Sequence, residues 1–539
     1  MKINSVFACA WFALLMLVAE YIRVYGSDVY HYHVDELMHM KIAEGATFRQ
    51  MLQYSLFEAH PPLGHILRYG WIKISETVWF SRSLSLVFGM AMIPLYYAIG
   101  KKLNGELTGM CAAVLVAFSR GCIIQSYVVR NYSMFLFFLS AGFYFYLLWR
   151  DERANLKLLA GYVVCGMCAC LTHFSGIFAI FVIAACEVMR LYLQKCDVGK
   201  YVRWVVANVA IGLVAVAAFL IWHTTLGPIE SYAAHASASY TLSETAVLPL
   251  LYFMHVANYI FIRPAFIYVL AIAIPIAVAR KDASVPYLVL AAASLLFGVI
   301  LFLTGIYPFV GDRHGLWLLP FFIPPAAWVL VDALLHITKK PIFVAMLIFA
   351  GGVAFYDAED RFSDSMEYKI TESQWQDISG YLDGLDDKML LVSGKTDAIM
   401  MAPPGVNIYA DIKNPQYVAS PLSALVPYYH THLLFDKTYR TYTGNMISIL
   451  QSAYSSRLLD NYDRLIFISS FVPSDIFSDL ILCPTLDKKL VSFPAAEPGH
   501  VFIREDLRKY SVIFMEVNKQ DFLRQFLAPD GKARECLRK

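Results

Sequence analysis

The sequence predicts an α-helical bundle that crosses a membrane many times, followed by a soluble α/β domain. The chain of 539 residues is 58% hydrophobic and only 16% charged, whereas soluble domains carry about a quarter charged residues. Its apolar residues are gathered in runs close to the roughly 20 residues that a helix needs to span a bilayer. After about residue 356 these runs give way to short strand-like segments. The net charge of +2 gives no sign of a polyanionic partner, so nucleic-acid binding has no support.

About eleven apolar runs form the predicted bundle. Only helices carry so many uninterrupted segments across lipid. The first run is followed by Glu20 to Arg23 rather than by a small-residue cleavage site, so we interpret it as a retained signal anchor. The runs lie near residues 5–25, 80–100, 108–119, 132–149, 158–172, 174–192, 204–223, 265–279, 285–304, 315–335 and 341–356.

Basic residues in the loops predict the orientation, since short cytoplasmic loops are enriched in Lys and Arg. With a cytoplasmic amino terminus, the inner loops hold most of these residues. Domain 1–356 is then the membrane domain, its loop 26–78 and its segment 224–264 lie outside, and domain 357–539 is extracytoplasmic. The inner loops carry Lys101, Lys102, Arg150, Arg153, Lys157, Arg190, Lys195, Lys200, Arg203, Arg280, Lys281, Lys339 and Lys340, and the short outer loops carry Arg120, Arg130, Arg263 and Arg313.

Two stretches of the first outer loop have apolar residues at helical spacing, which predicts amphipathic helices. Such helices lie at the membrane interface or pack their apolar faces on the bundle, and the sequence leaves both open. The first stretch contains Val34, Leu37, Met38 and Ile42, and the second contains Ile66, Leu67, Gly70, Trp71 and Ile74.

The tail alternates a helical segment at 374–385 with four strand-like segments near 388–394, 406–412, 463–471 and 511–517, which predicts an α/β domain. It contains no Gly-rich phosphate loop, catalytic Ser elbow or zinc spacing, so we expect an accessory or acceptor-recognition role.

Outside the cell Cys483 and Cys536 could form a disulfide, or they stay unpaired thiols. Cys165, Cys168 and Cys170 lie in an apolar run without a matching second pair, so we interpret them as buried hydrophobes.

The polar residues that are unusual in such a chain all fall on the predicted outer side. Charge near a bilayer is costly and usually functional, so a one-sided set predicts an outward-facing site. The set consists of Asp35, Glu36, His39, His60, Arg130, His173, Arg313 and His314.

Asp35 and Glu36 begin a predicted helix. Acids there are also favoured by the helix dipole, which is a purely structural alternative. Adjacent side chains on a helix point about 100° apart, so the two acids should have different roles. His39 lies four residues after Asp35, on the same face. A carboxylate in this position can take the proton of an incoming hydroxyl.

Basic residues occur at the mouths of the predicted spans. Pro61 and Pro62 fix a turn that presents His60. Arg130, beside Tyr132, and Arg313 could hold one lipid phosphate by forked hydrogen bonds, or else snorkel to lipid headgroups. For His173, in the short connection between spans five and six, a structural and a functional role are equally open.

The ordered motifs resemble those of the membrane glycosyltransferases of the GT-C superfamily, glycosyltransferase family 39, which includes protein O-mannosyltransferases and the aminoarabinose transferase of lipid A. The resemblance covers roughly residues 1–335. In two places the chain departs from the family pattern: His314 follows Arg313 where Tyr is common, and Ser126-Tyr127 replaces a Ser-Gln pair. The matching motifs are Asp35-Glu36, His60-Pro61-Pro62-Leu63, Arg130-Asn131-Tyr132, Thr172-His173-Phe174-Ser175-Gly176, and Pro308 to Arg313.

The resemblance implies a GT-C fold and transfer of a sugar from a polyprenyl-phosphate donor to a hydroxyl of a glycan, lipid or protein, with inversion, on the outer face of a bacterial inner membrane. It implies Asp35 as general base, and Glu36 as the residue that orients His39 or the acceptor. Arg130, Arg313 and His60 would bind the donor phosphate. Supporting roles are expected for His39, Tyr132, His173 and His314. No cofactor is required, although a divalent metal at Asp35 and Glu36 stays open.

Three other functions were weighed. A transporter or flippase predicts charges near mid-span and helices broken at paired positions, and the mid-span regions here are nearly free of charge. An oligosaccharide or polymer transferase would differ in using a larger, lipid-diphosphate donor. A scaffold whose outer tail binds a partner would not depend on Asp35.

Overall fold

A computed structural model describes most of the membrane part of the chain and short portions of the tail. By internal contacts the chain divides into two units, Met1–Ser27 with Ile42–Phe362, and Asp28–Lys41 with Ser363–Lys539. The described residues are 4–25, 32, 34–45, 47–55, 60–193, 198–226, 260, 275, 285–304, 306–307, 312–355, 376–378, 380–381, 389–393, 408–410, 463–470, 486–494 and 510–522.

Helices make up nearly all of the described membrane part. A short 3-10 helix, Asp312–Leu318, directly precedes α13. The helices are α1 (Ser5–Val24), α2 (Val34–Ala43), α3 (Phe48–Ser55), α4 (Leu63–Ile72), α5 (Val78–Asn104), α6 (Glu106–Ala117), α7 (Arg120–Tyr127), α8 (Tyr132–Asp151), α9 (Leu156–Thr172), α10 (Gly176–Leu193), α11 (Val198–Leu226), α12 (Val285–Leu303), α13 (Leu319–Thr338) and α14 (Pro341–Phe355).

Within the described residues, six helices are long and apolar enough to cross a membrane, and α6 with α7 makes a seventh candidate that is bent by 56°. Helices α9, α12 and α14 are shorter and apolar. Each predicted run coincides with a described helix except the run near 265–279, which lies outside the described residues. The predicted polytopic helical bundle is therefore confirmed, and the chain is a multi-pass membrane protein.

The hairpin of α5 and α6 shows how small residues build this bundle. A Cβ on Gly100 would lie 2.6 Å from the carbonyl oxygen of Thr108, and one on Gly109 would lie 2.6 Å from that of Tyr97. Between the helices Gly105 has φ 86°, which lets the chain reverse without a steric penalty. Such close backbone approach is the usual way in which helices associate in lipid.

Helix α4 packs with its polar side inward. His65 and Arg68 are buried, together with Gly64 and Ile72. On the other side, Ile66 and Leu67 are partly exposed, and Ile74 just beyond the helix is 72% exposed. The predicted apolar face is thus partly covered, since Trp71 stacks on Phe80 of α5 with ring centroids 5.4 Å apart, and both the interfacial and the packing interpretation of α4 stay open.

The described strands of the tail form one mixed sheet in the order β2-β1-β3-β5-β4. Strand β1 is parallel to β2 and β3, whereas β5 is antiparallel to β3 and β4. The bounds are β1 (Met389–Ser393), β2 (Ile408–Ala410), β3 (Arg464–Ser470), β4 (Lys488–Pro494) and β5 (Tyr510–Asn518).

Four of these strands coincide with the predicted ones, and β4 was not predicted. It begins with two lysines and ends in Pro494, a composition typical of edge strands. Residues 376–378, 380 and 381 of the predicted helix are helical. The domain boundary at 356/357 stays a prediction because residues 356–375 lie outside the described part.

Candidate active site

The predicted acidic pair lies on α2, as expected. Glu36 and His39 are both buried, and three residues apart they share one face of the helix. The side chain of Asp35 lies outside the described part of the chain. Glu36 and His39 are therefore about one helical turn apart, and both the orienting role of Glu36 and the assignment of Asp35 as base stay predictions.

Three predicted residues of the membrane unit meet as aromatic rings. The ring of His60 lies 4.9 Å from the ring of His173 and 6.1 Å from that of Tyr132, measured between centroids. Tyr132 and His173 are themselves 5.0 Å apart, and Phe135 packs on His173 at 5.1 Å. The turn before α4, the start of α8 and the connection after α9 thus come together at one place.

Hydrogen bonds to His173 determine which of its two ring nitrogens carries the proton. Its Nδ1 accepts the backbone N–H of Ser175 at 3.1 Å, and the hydroxyl of Ser175 lies 2.7 Å from the same atom. A backbone N–H can only donate, so Nδ1 carries no proton. In the neutral imidazole the proton is then on Nε2, and His173 presents a hydrogen-bond donor on the side away from Ser175.

Arg130 sits in the tight connection between α7 and α8 and is 7% exposed. The hydroxyl of Ser85 on α5 donates to its carbonyl oxygen at 3.3 Å. The Ser133 hydroxyl donates to the carbonyl oxygen of Gln125 at 2.6 Å, which ties the first turn of α8 to α7. The backbone of Arg130 is therefore held just ahead of the amino terminus of α8, where the helix dipole favours an anion.

The neighbouring Asn131 fixes α4 against α8. Its Oδ1 accepts a hydrogen bond from Arg68 Nη1 at 3.3 Å. A Cβ on Gly64 would overlap the Asn131 side chain, so α4 approaches this closely only with glycine at that position. Because His60 lies just ahead of Gly64, the contact helps to place His60 near the start of α8, where its ring lies 6.1 Å from that of Tyr132.

Arg313 and His314 occupy the 3-10 helix, which contacts α7, α8, α10 and α12. The rings of His314 and Tyr307 meet edge to face at 5.8 Å. Arg313, Arg130 and His60 are all within electrostatic range of the His314 imidazole. Within the described part of the chain its buried Nδ1 has no hydrogen-bond partner. The structure thus gathers His60, Arg130, Arg313 and His314, which we call the basic end.

Sequence reasoning missed several buried arginines near this level of the bundle. Arg23, Arg68 and Arg82 are all buried, on α1, α4 and α5. Each lies near the end of an apolar run, where an arginine ordinarily snorkels to the interface. The pattern alone carries no sign that they turn inward.

No group of three or more His, Cys, Asp or Glu side chains within the described ranges is arranged to hold a metal ion. Cys165, Cys168 and Cys170 lie on α9 with free thiols. The metal at Asp35 and Glu36 stays a prediction. Cys483 and Cys536 lie outside the described residues, and their disulfide likewise stays a prediction.

Residues 13–227 match the sequence model of a family described as dolichyl-phosphate-mannose-protein mannosyltransferase. ArnT from Cupriavidus metallidurans in the apo state matches with a TM-score of 0.53 at 12% identity, covering 94% of this chain and 98% of that one. The same protein bound to undecaprenyl phosphate matches with a TM-score of 0.53 at 11% identity over the same shares. A comparison with curated proteins found no match.

This chain has the fold of ArnT, and its residues 13–227 are similar in sequence to the mannosyltransferase family. The resemblance inferred from the motifs is thereby confirmed. The family match includes Asp35, His60, Arg130 and His173, whereas Arg313 and His314 lie beyond it.

Proposed function

We propose that this GT-C protein transfers a sugar from a polyprenyl-phosphate donor to an acceptor hydroxyl on the outer face of the membrane. The observation that carries the proposal is the basic end, where His60, Arg130, Arg313 and His314 converge beside the start of α8. The family match and the fold support a glycosyltransferase with a lipid-linked donor. ArnT has been observed with bound undecaprenyl phosphate, which is a donor carrier of this kind.

The chemistry explains the need for positive charge. When the bond between the anomeric carbon and the phosphate oxygen breaks, the lipid phosphate gains negative charge. Preorganised donors that meet this charge lower the barrier, and losing one such donor typically costs ~3–4 kcal/mol. We assign this role to Arg130 and Arg313, with His60 nearby. The Nε2–H of His173 and the hydroxyl of Tyr132 support the same anion or the sugar.

The base is assigned from the sequence. Asp35 takes the proton of the acceptor hydroxyl, which attacks the anomeric carbon from the side opposite the phosphate and inverts its configuration. Glu36 orients His39 or the acceptor. The reaction as written needs no metal, because the arginines balance the charge of a monophosphate leaving group. We place the protein in a bacterial inner membrane with a cytoplasmic amino terminus.

The test is sugar transfer by the purified protein in lipid, supplied with synthetic polyprenyl-phosphate sugars and with glycan, lipid and protein acceptors. We expect transfer or slow donor hydrolysis by the wild type and its loss in Asp35→Asn. The matched control is Asp151→Asn at the far end of α8, which pairs with Lys102 and should leave turnover unchanged. Turnover unaffected by Asp35→Asn would remove Asp35 from the chemistry and direct attention to Glu36.

A wild type that turns over no polyprenyl-phosphate sugar would overturn the proposal. Turnover of a lipid-diphosphate oligosaccharide instead would establish the oligosaccharide transferase alternative. Movement of the intact lipid across the bilayer without sugar transfer would establish the transporter.

A further inference from the structure

Helices α6 and α7 together make one bent span candidate within the described residues. Phe118 and Ser119 separate the two helices, whose axes differ by 56°. Ser119 begins α7 by accepting the N–H of Cys122 at 3.4 Å. The last carbonyl groups of a helix have no partner within the helix, so a buried bend needs donors from elsewhere.

Arg23 supplies these donors. The residue lies near the end of α1 and is 0% exposed. Its Nη1 donates to the carbonyl oxygen of Ala117 at 2.9 Å, and its Nη2 donates to that of Val116 at 3.3 Å. The positive charge also suits the negative end of the α6 dipole.

The same guanidinium reaches across the bend to α7. Its Nε donates to the hydroxyl oxygen of Ser126 at 3.2 Å, while Nη1 also donates to the carbonyl oxygen of Ala19 on its own helix at 3.2 Å. The Ser126 hydroxyl in turn bonds the Cys122 carbonyl. One planar fork therefore joins both sides of the break to α1, a geometry that a single ammonium group cannot reproduce.

From Ser126 the connection continues to Arg130. The neighbouring Gln125 accepts the Ser133 hydroxyl at the first turn of α8. On the opposite side, a Cβ on Gly89 of α5 would overlap Ser126, so α7 cannot shift toward α5. The segment between these two supports is the one that carries Arg130.

We infer that Arg23 is a positioning residue for the donor-phosphate site: by stapling the break between α6 and α7 it sets the direction of α7 and hence the place of Arg130. The inference rests on the proposed function in that Arg130 is taken as the phosphate-binding arginine. Arg23 does not itself touch the donor. Its effect is the alignment of a group that does.

The experiment uses the full-length protein in lipid and the variants Arg23→Met, Arg23→Lys and Ser126→Ala. Displacing an aligned group by about 1 Å can cost on the order of 100-fold in rate. We expect Arg23→Met to lower kcat/KM for a polyprenyl-phosphate sugar by about 10- to 100-fold, with the acceptor KM unchanged, and Arg23→Lys to restore part of the loss. Hydrogen exchange should rise in residues 118–131 and stay unchanged in α12.

Ser126→Ala removes the bond from Arg23 to α7, together with the bond from Ser126 to the Cys122 carbonyl within α7, and it tests the inference if Arg23→Met does not fold. It should show a smaller change in the same direction, and adding it to Arg23→Met should bring little further loss. The matched control is Ser140→Ala, a buried serine on α8 that bonds Tyr96 at 3.0 Å and should leave donor kinetics intact.

Two results would overturn the inference. One is unchanged exchange in residues 118–131 when Arg23 is replaced. The other is a loss spread equally over donor and acceptor kinetics, with exchange raised throughout the bundle, which would make Arg23 an ordinary structural anchor. If the wild type transfers no sugar, the proposed function fails, while the exchange measurement still decides whether Arg23 holds the break.

Discussion

The two ends of α8 lie among different sets of charged side chains. At its far end Glu187 of α10 is fully buried and accepts the Tyr146 hydroxyl at 2.8 Å, Arg190 at 2.7 and 2.8 Å, and Arg153 at 3.2 Å. We call these four residues the paired end. The basic end is about 30 Å away for a helix of 20 residues, and there Arg313, Arg130 and His60 lie near the buried imidazole of His314.

We interpret the charged residues of the paired end as structural and those of the basic end as functional. At the paired end each hydrogen bond satisfies a buried carboxylate, so the arrangement stabilises the fold. The rings of Trp149 and Trp204 stack at the same end of α8, with their centroids 5.0 Å apart. At the basic end two arginines lie near one imidazole, a set of side chains that suits an anionic phosphate. We therefore expect substitutions at the basic end to change turnover and those at the paired end to change stability.

The largest effect is expected for Arg130→Ala. Loss of one donor to the leaving phosphate should lower turnover by about 100- to 1,000-fold, ~3–4 kcal/mol in the barrier. The measurement is transfer from a polyprenyl-phosphate sugar together with the melting temperature in detergent. The comparison is Arg153→Ala at the paired end, which should lower the melting temperature and leave turnover per folded molecule unchanged. Equal effects of the two variants on turnover would remove the distinction between the ends.

Glu187→Gln tests the paired end directly. It leaves Arg153 and Arg190 facing a neutral group, and breaking a buried ion pair in this way costs about 3 kcal/mol, at the low end of the usual range because both arginines are partly exposed. Denaturant or thermal unfolding would show the loss. Turnover of the molecules that remain folded should match the wild type, and a selective loss of turnover would contradict the structural role.

Gly64→Ala tests the clamp between α4 and α8. The added methyl group overlaps Asn131, and overpacking of this kind costs about 1–3 kcal/mol. Because α4 must shift together with His60, donor turnover should fall as well. Gly70→Ala on the same helix is the matched control, since its Cβ would meet no atom within 4 Å. If both variants behave alike, the contact with Asn131 does not position His60.

The smallest effect is expected for Ser175→Ala. The backbone N–H still holds His173 Nδ1, so only one hydrogen bond of about 1 kcal/mol is lost, which corresponds to about fivefold in donor turnover. Ser294→Ala, where the hydroxyl bonds only the Ala291 carbonyl at 2.7 Å, serves as the control. A drop as large as that of Arg130→Ala would mean that the hydroxyl itself contacts the substrate.

The sequence predicted the spans well because length and hydropathy decide which segments enter a bilayer. It also singled out His60, Arg130, His173 and Arg313, because their positions at the ends of runs are unusual for charged or polar groups, and their roles in the reaction stay predictions. It failed for β4, whose lysines obscure the strand pattern. It did not resolve α6 and α7 as a broken helix, since the apolar run passes into the break at Phe118 and Ser119.

By itself the sequence determined the multi-pass helical fold and the described membrane helices, since these follow from local composition and spacing. The side of the membrane on which its unusual polar residues lie stays a prediction. The tertiary structure decided which of those residues meet and how they are held. Arg23 and Arg68 are buried because oxygen atoms from distant parts of the chain accept their hydrogen bonds. The Ala117 carbonyl oxygen accepts from Arg23, and the Asn131 amide oxygen accepts from Arg68. Periodicity gives the face of a helix but not its neighbour, so partners separated by 63 or 94 residues become visible only when the helices are packed.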